Sequence, residues 1–184
     1  MKKAVLLGDS IRQIGYGLKV PEVLAPEYEV FQPEENCRFA KYTLRMVMDL
    51  QETLKDADVI HWNNGLWDVC LHCVDDGVFT EVDEYVENMV RIGTMLKKFT
   101  PNVIFATTTP CLPDSLRFRN EDIDRYNAAV VPRLEALGIV INDLHTLVAD
   151  HAAEFIRDDD KVHLTQAGID ACAEQVARAI RQFD

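Results

Sequence analysis

No stretch of the 184-residue sequence approaches the length of a membrane span, and the apolar AVLLG behind two lysines is too short for the core of a signal peptide. The expected location is therefore cytoplasmic, with no membrane partner. Basic residues are scarce: 19 Lys and Arg stand against 31 Asp and Glu, for a formal net charge of -12. Such a field repels phosphate backbones and anionic bilayer surfaces, which removes nucleic acid from the expected partners. Cysteines number five, an odd count that fits a reduced chain better than a disulfide framework. Internal repeats, low-complexity tracts and linkers are lacking too, so residues 1–184 read as one domain. Neither G-x-G-x-x-G nor G-x-x-x-x-G-K-[ST] occurs, which counts against a nucleotide-binding module.

What is there alternates. Ala4–Leu7, Val59–Ile60, Val103–Ala106 and Ile139–Ile141 are short apolar runs of the kind buried in a parallel sheet, and Tyr28–Phe31 alternates like an edge strand. Between them lie helical stripes. One runs from Val82 to Phe99, with Thr80 as its expected N-cap. A second runs from Ile123 to Leu137 and ends at Gly138, with a kink or break expected at Pro132. A third follows Thr165. Strands alternating with helices predict an α/β fold of about five parallel strands covered on both faces. In such sheets ligands bind beyond the carboxyl ends of the strands.

The first strand delivers Gly8-Asp9-Ser10 to that edge. A serine hydroxyl is a weak nucleophile until a base takes its proton. Near the other end of the chain, "DDDKVHLT" offers one: His163, with Asp160 three residues earlier to hold one ring nitrogen and fix the tautomer. Read without a partner, each stretch is equally a turn or an acidic solvated loop.

Together, "GDSI" after the first strand and "DDDKVHLT" before the last helix resemble the GDSL, or SGNH, hydrolase family over nearly the whole chain. The resemblance implies a flavodoxin-like three-layer α/β/α sandwich. It also implies Ser10 as nucleophile, His163 as general base and Asp160 as its orienting partner, with no cofactor. An oxyanion hole is implied as well, because attack on an ester carbonyl leaves charge on oxygen that fixed donors must stabilise. Its expected donors are the N–H of Ser10 and the N–H of Cys37 in "ENCRFAKYT". The family's third donor is an asparagine in Gly-x-Asn-Asp, and here the chain departs: "HWNNGLWDV" puts Trp67 where that asparagine belongs. Asn64 is the expected replacement, with Asn63 or the indole N–H of Trp67 as rivals. Asp9, Trp67 and Thr109, the last from "TTTPCLPD", are expected at the pocket.

The implied activity is hydrolysis of short acyl esters, acetyl first, on carbohydrates among other small molecules. Lysophospholipids or thioesters are alternatives, as is a member that has lost activity and only binds. The expected partner is a small-molecule ester, and a homo-oligomer is compatible with the sequence. Cys70-Leu71-His72-Cys73 has zinc-like spacing, but a zinc site needs about four ligands and no second pair follows; no metal is expected. His61 reads as a core or rim residue, and His145 and His151 as helix or surface residues.

Overall fold

The computed structural model describes residues 1–71 and 77–184. Five strands form one parallel sheet: β1 (Lys2–Gly8), β2 (Tyr28–Phe31), β3 (Val59–Asn63), β4 (Val103–Ala106) and β5 (Val140–Asn142). Their order is β2-β1-β3-β4-β5. Among the described residues, α-helices lie between and after them: α1 (Ser10–Gln13), α2 (Val20–Leu24), α3 (Ala40–Asp49), α4 (Gln51–Leu54), α5 (Leu66–Val69), α6 (Val82–Leu96), α7 (Asn120–Glu135), α8 (Leu144–Ala149), α9 (Ala152–Phe155) and α10 (Gln166–Arg181).

This order dictates the layers. The chain steps one way from β1 to β2, then reverses and fills β3, β4 and β5 on the other side. Right-handed crossovers put helices after these two moves on opposite faces. Accordingly α3, α6 and α7 pack side by side, while α10 returns across the sheet to meet α2. The inner strands are therefore covered twice, and Ala4–Leu7, Ile60 and Val103–Ala106 have no exposed surface. Each such Leu or Val contributes roughly 1.5–3 kcal/mol by leaving water. The reversal falls between β1 and β3, and it opens the crevice into which Ser10 projects.

Two details of the helices depart from the sequence pattern. Thr80 does not cap α6: the cap position is Glu81, whose side chain makes no capping bond. Thr80 is engaged elsewhere, its N–H donating to the Asp68 carbonyl at 3.0 Å and its hydroxyl to the Asp68 carboxylate. Nor does Pro132 break α7, which continues to Glu135. The missing N–H costs one bond near the helix end, and Val130 and Leu134 stay fully buried on either side. Gly138 takes a φ of 71°, and the Ile139 N–H closes the helix on Leu134 O at 3.2 Å. Thr165 does cap α10, accepting from Gly168 N at 3.2 Å.

Gly65, the cap position of α5 two residues beyond β3, has a conformation that β-carbons rarely tolerate, with φ 146°. A Cβ there would lie 2.0 Å from Thr108 Oγ1. Gly65→Ala is therefore expected to cost at least about 2 kcal/mol of stability in urea titrations, from strain and overlap together. A loss below about 0.5 kcal/mol, the range of a neutral surface change, would contradict the close approach.

Candidate active site

β1 stops where it must turn sharply, and Gly8 makes the turn possible. A Cβ at Gly8 would sit 2.0 Å from Asn63 Oδ1. The next residue, Asp9, is buried and faces inward as the N-cap of α1. Its Oδ1 accepts from Ile11 N at 2.9 Å and from Asn63 Nδ2 at 2.7 Å. Tyr16 OH completes the chain by donating to Asn63 Oδ1 at 2.7 Å. Burial pushes the Asp9 carboxyl upward, while the Ile11 N–H and the Asn63 amide pull it down. Ser10 is thus aimed outward by a turn that Asp9 Oδ1 and the Asn63 amide hold from inside.

His163 reaches the same point from the far end of the chain. Asp160 Oδ1 accepts the N–H groups of Val162 at 3.0 Å and His163 at 2.9 Å, which winds the loop into a tight turn. Its Oδ2 accepts from His163 Nδ1 at 3.0 Å. The other ring nitrogen, Nε2, lies 2.8 Å from Ser10 Oγ. With Nδ1 carrying the proton toward the carboxylate, Nε2 is left to accept from the serine hydroxyl. Partial burial would raise the Asp160 pKa, but the two backbone N–H groups and the His163 ring outweigh it and hold the carboxyl below its ordinary value. Asp160 is therefore a carboxylate at neutral pH. Asp159, its neighbour, pairs with Arg157 instead.

Ser10 and His163 open onto a cleft of about 830 Å³. Ile14, Leu66, Trp67, Leu116, Phe118 and Val162 give it apolar walls, and Asp114, Ser115, Arg117 and Lys161 also border it. Trp67 is 42% exposed at this rim. The loop supplying Leu116 to Phe118 is pinned at its base, where the Asn120 carboxamide makes two 2.9 Å bonds to the Cys111 backbone. From sequence, the aromatic Phe118 is a candidate for an apolar wall along with Leu66 and Trp67, all three of which border the cleft, and Trp62, which is buried in the core instead; Ser115-Leu116-Arg117 has no motif.

Several expected site residues stand elsewhere. Cys37 is not an oxyanion donor: its single N–H donates to Gly8 O at 3.0 Å, and its Sγ accepts from Gly8 N at 3.1 Å. Cys37 straps the loop after β2 to the end of β1. Asp9 and Thr109 are buried and do not line the cleft, since Asp9 serves the turn and Thr109 lies inside with 2% exposure. Asn64 is fully buried, and its Nδ2 donates to Arg38 O at 2.8 Å; one amide hydrogen remains. Asn63 is bound within the Asp9 network. His61 is a core residue between β1 and β4, its pKa driven down to about 3 by burial. His145 lies beside Asp124 at 3.1 Å, away from Ser10. Of the Cys70–Cys73 pair, Cys73 and His72 fall outside the described residues, and among those described no cluster of three or more His, Cys, Asp or Glu could hold a metal. Among the described residues no helix is long and apolar enough to cross a membrane.

No protein-family model matches the chain, and no curated protein matches it by sequence. Solved structures do match. A lipase/acylhydrolase from Enterococcus faecalis superposes with a TM-score of 0.81 at 19% identity, over 99% of this chain and 96% of that one. An acetyl xylan esterase gives 0.78 at 21% identity, over 97% and 99%. An acetylxylan esterase from Geobacillus stearothermophilus gives 0.76 at 17% identity, over 97% and 94%. The fold is that of the SGNH hydrolases. At such low identities the likeness is one of architecture, and it spans this chain nearly from end to end.

One further carboxyl belongs to the frame of the site. Asp68, the residue after Trp67, is buried, accepts from Ala40 N at 3.0 Å, and so ties α5 to the start of α3. Burial raises its pKa from 3.8 to about 7. A carboxyl whose folded pKa lies above its unfolded value favours folding while protonated. Its contribution therefore declines as pH rises from 3.8 toward 7 and stays low above that. In Asp68→Asn this slope should vanish: the stability difference between parent and variant, measured by urea titration, should shift in the variant's favour across that interval. A difference that stays constant with pH would contradict a buried titrating Asp68.

Proposed function

We propose that the chain is a serine esterase that hydrolyses short acyl esters, acetyl foremost and carbohydrates among the alcohol portions, through an acyl-enzyme on Ser10. The observation that carries this reading is the unbroken relay from Ser10 Oγ to His163 Nε2 (2.8 Å) and from His163 Nδ1 to Asp160 (3.0 Å), opening on a cleft. A lone serine beside a histidine could be incidental. A carboxylate that orients the far ring nitrogen makes the near one a base.

In this mechanism His163 accepts the Ser10 proton as Oγ attacks the ester carbonyl, and Asp160 stabilises the imidazolium that results. Charge then builds on the carbonyl oxygen. The Ser10 N–H is suited to meet it, being the first amide of α1. The three after it are engaged, Ile11 with the Asp9 carboxylate and Arg12 and Gln13 with the Asp9 carbonyl. With Cys37 excluded, the second donor in this reading is the amide hydrogen of Asn64 not used by Arg38. His163 returns its proton to the departing alcohol, and water repeats the sequence on the acyl-serine. The acetyl preference draws on solved structures of this fold described as acetylxylan esterases. The apolar cleft walls support a second reading, longer acyl chains of lysophospholipid or thioester type; p-nitrophenyl esters of increasing chain length separate the two.

Ser10→Ala should fold as the parent does and lose at least about a thousandfold in kcat/KM on p-nitrophenyl acetate. Activity within tenfold of the parent would refute the nucleophile. Asn64→Ala should lower kcat by about a hundredfold or more with little change in KM, the usual effect of removing one oxyanion donor. Trp67→Phe, which keeps the ring and deletes the indole donor, should be mild. The reverse pattern would hand the role to Trp67.

A further inference from the structure

The loop that carries the base is entered through Arg157, shortly after α9. Its N–H donates to the His163 carbonyl at 2.7 Å, and its own carbonyl accepts from Lys161 N at 3.0 Å. Further out, Thr165 N donates to Phe155 O at 2.8 Å, and Ile156 and Leu164 form an antiparallel bridge. Main-chain bonds therefore fix Arg157 beside the base, whatever its side chain does.

The guanidinium faces two carboxylates. It makes two bonds to Asp159, one of them from Nε at 2.9 Å, and the same Nε lies 3.7 Å from Asp160 Oδ2. That oxygen is the one that accepts from His163 Nδ1, while Oδ1 takes the N–H groups of Val162 and His163. A cation set against Oδ2 offsets the same negative charge that stabilises the imidazolium, and so weakens the hold of Asp160 on the ring proton. The bond to Asp159, then the charges of Asp159 and Asp160, raise the guanidinium's pKa further, so its charge is permanent.

The other charges around the ring are placed differently. Asp9 acts on it from the turn between β1 and α1. Lys161 is paired with Asp114 at 3.0 Å and with Asp158 at 2.6 Å, and Arg117 borders the cleft. Among the described residues, Arg157 is the one Lys or Arg within ion-pair distance of Asp160.

We propose that Arg157 is a positioning residue for the base: its guanidinium, tethered by Asp159, offsets the charge on Asp160 Oδ2 and so lowers the proton affinity of His163. This rests on the esterase reading, in which unprotonated His163 takes the Ser10 proton, and adds the residue that sets the pH range in which it can. With 43% of its side chain exposed, Arg157 acts through partly screened charge, and the effect is modest.

The test is the pH profile of kcat/KM on p-nitrophenyl acetate at low salt. In Arg157→Gln the rising limb should move about half a pH unit to higher pH, and molar salt should shrink its difference from the parent. Arg157→Lys keeps the charge and should keep the midpoint within about 0.2 of the parent's. Asp159→Asn removes a negative charge and leaves the guanidinium to Asp160, so its midpoint should move to lower pH; this variant decides the matter if Arg157→Gln does not fold. A role confined to holding the loop would lower the plateau and leave the midpoint where it was. A midpoint unmoved or lowered in Arg157→Gln, or raised as far in Arg157→Lys, would overturn the proposal, as would one unmoved or raised in Asp159→Asn. Should the parent cleave no ester, the esterase reading fails by itself. NMR titration of the His163 ring, its signal identified by its loss in His163→Gln, then decides the proposal by the same comparison of midpoints.

Discussion

The carboxyl edge of the sheet is organised around one buried carboxyl, Asp9. Through Oδ1 it receives the Ile11 N–H that starts α1 and the Asn63 amide at the end of β3. The same contact keeps β1 and β3 close enough that only a glycine fits at position 8. Removing the acceptor would leave two buried donors unpaired, at about 1–3 kcal/mol each. The direction of Ser10 follows from this arrangement: with Asp9 turned inward as a cap, the next side chain must turn outward. Cys37 and Arg12 reinforce the turn, the first bonding both polar backbone groups of Gly8, the second donating from a buried guanidinium to the carbonyls of Gly8, Pro33 and Glu35.

The other half of the site is built by local means. Asp160 folds its own loop by accepting two backbone N–H groups, and the same carboxylate orients His163. One side chain thus sets both the loop's shape and the ring's tautomer. The two halves lie 153 residues apart in sequence and meet because β1 is an inner strand of the sheet and α10, entered through the Thr165 cap, packs across it.

What could be read from sequence was whatever depends on local pattern. The inner strands appear as short apolar runs and the edge strand β2 as an alternating one, so these were legible, although β3 extends to Asn63 through His61 and Trp62, whose polar atoms hide its length. Ser10, Asp160 and His163 were legible as candidates because their chemistry demands particular residue types at particular spacings. Cys37 was misread for the opposite reason: any residue supplies a backbone N–H, and only the fold reveals that this one is directed at Gly8. Thr80 resembled a cap but serves Asp68, a contact made through tertiary structure.

The central claim is that Ser10 is activated by its contact with His163, and the chain is well suited to a direct test because it contains two serines, Ser10 and Ser115, both on the cleft. Intact-mass and peptide mass spectrometry after treatment with a fluorophosphonate reads which of them reacts. The account predicts a single adduct, on Ser10, whose formation is strongly slowed in His163→Gln. No adduct, an adduct on Ser115, or equal labelling of parent and His163→Gln would contradict it.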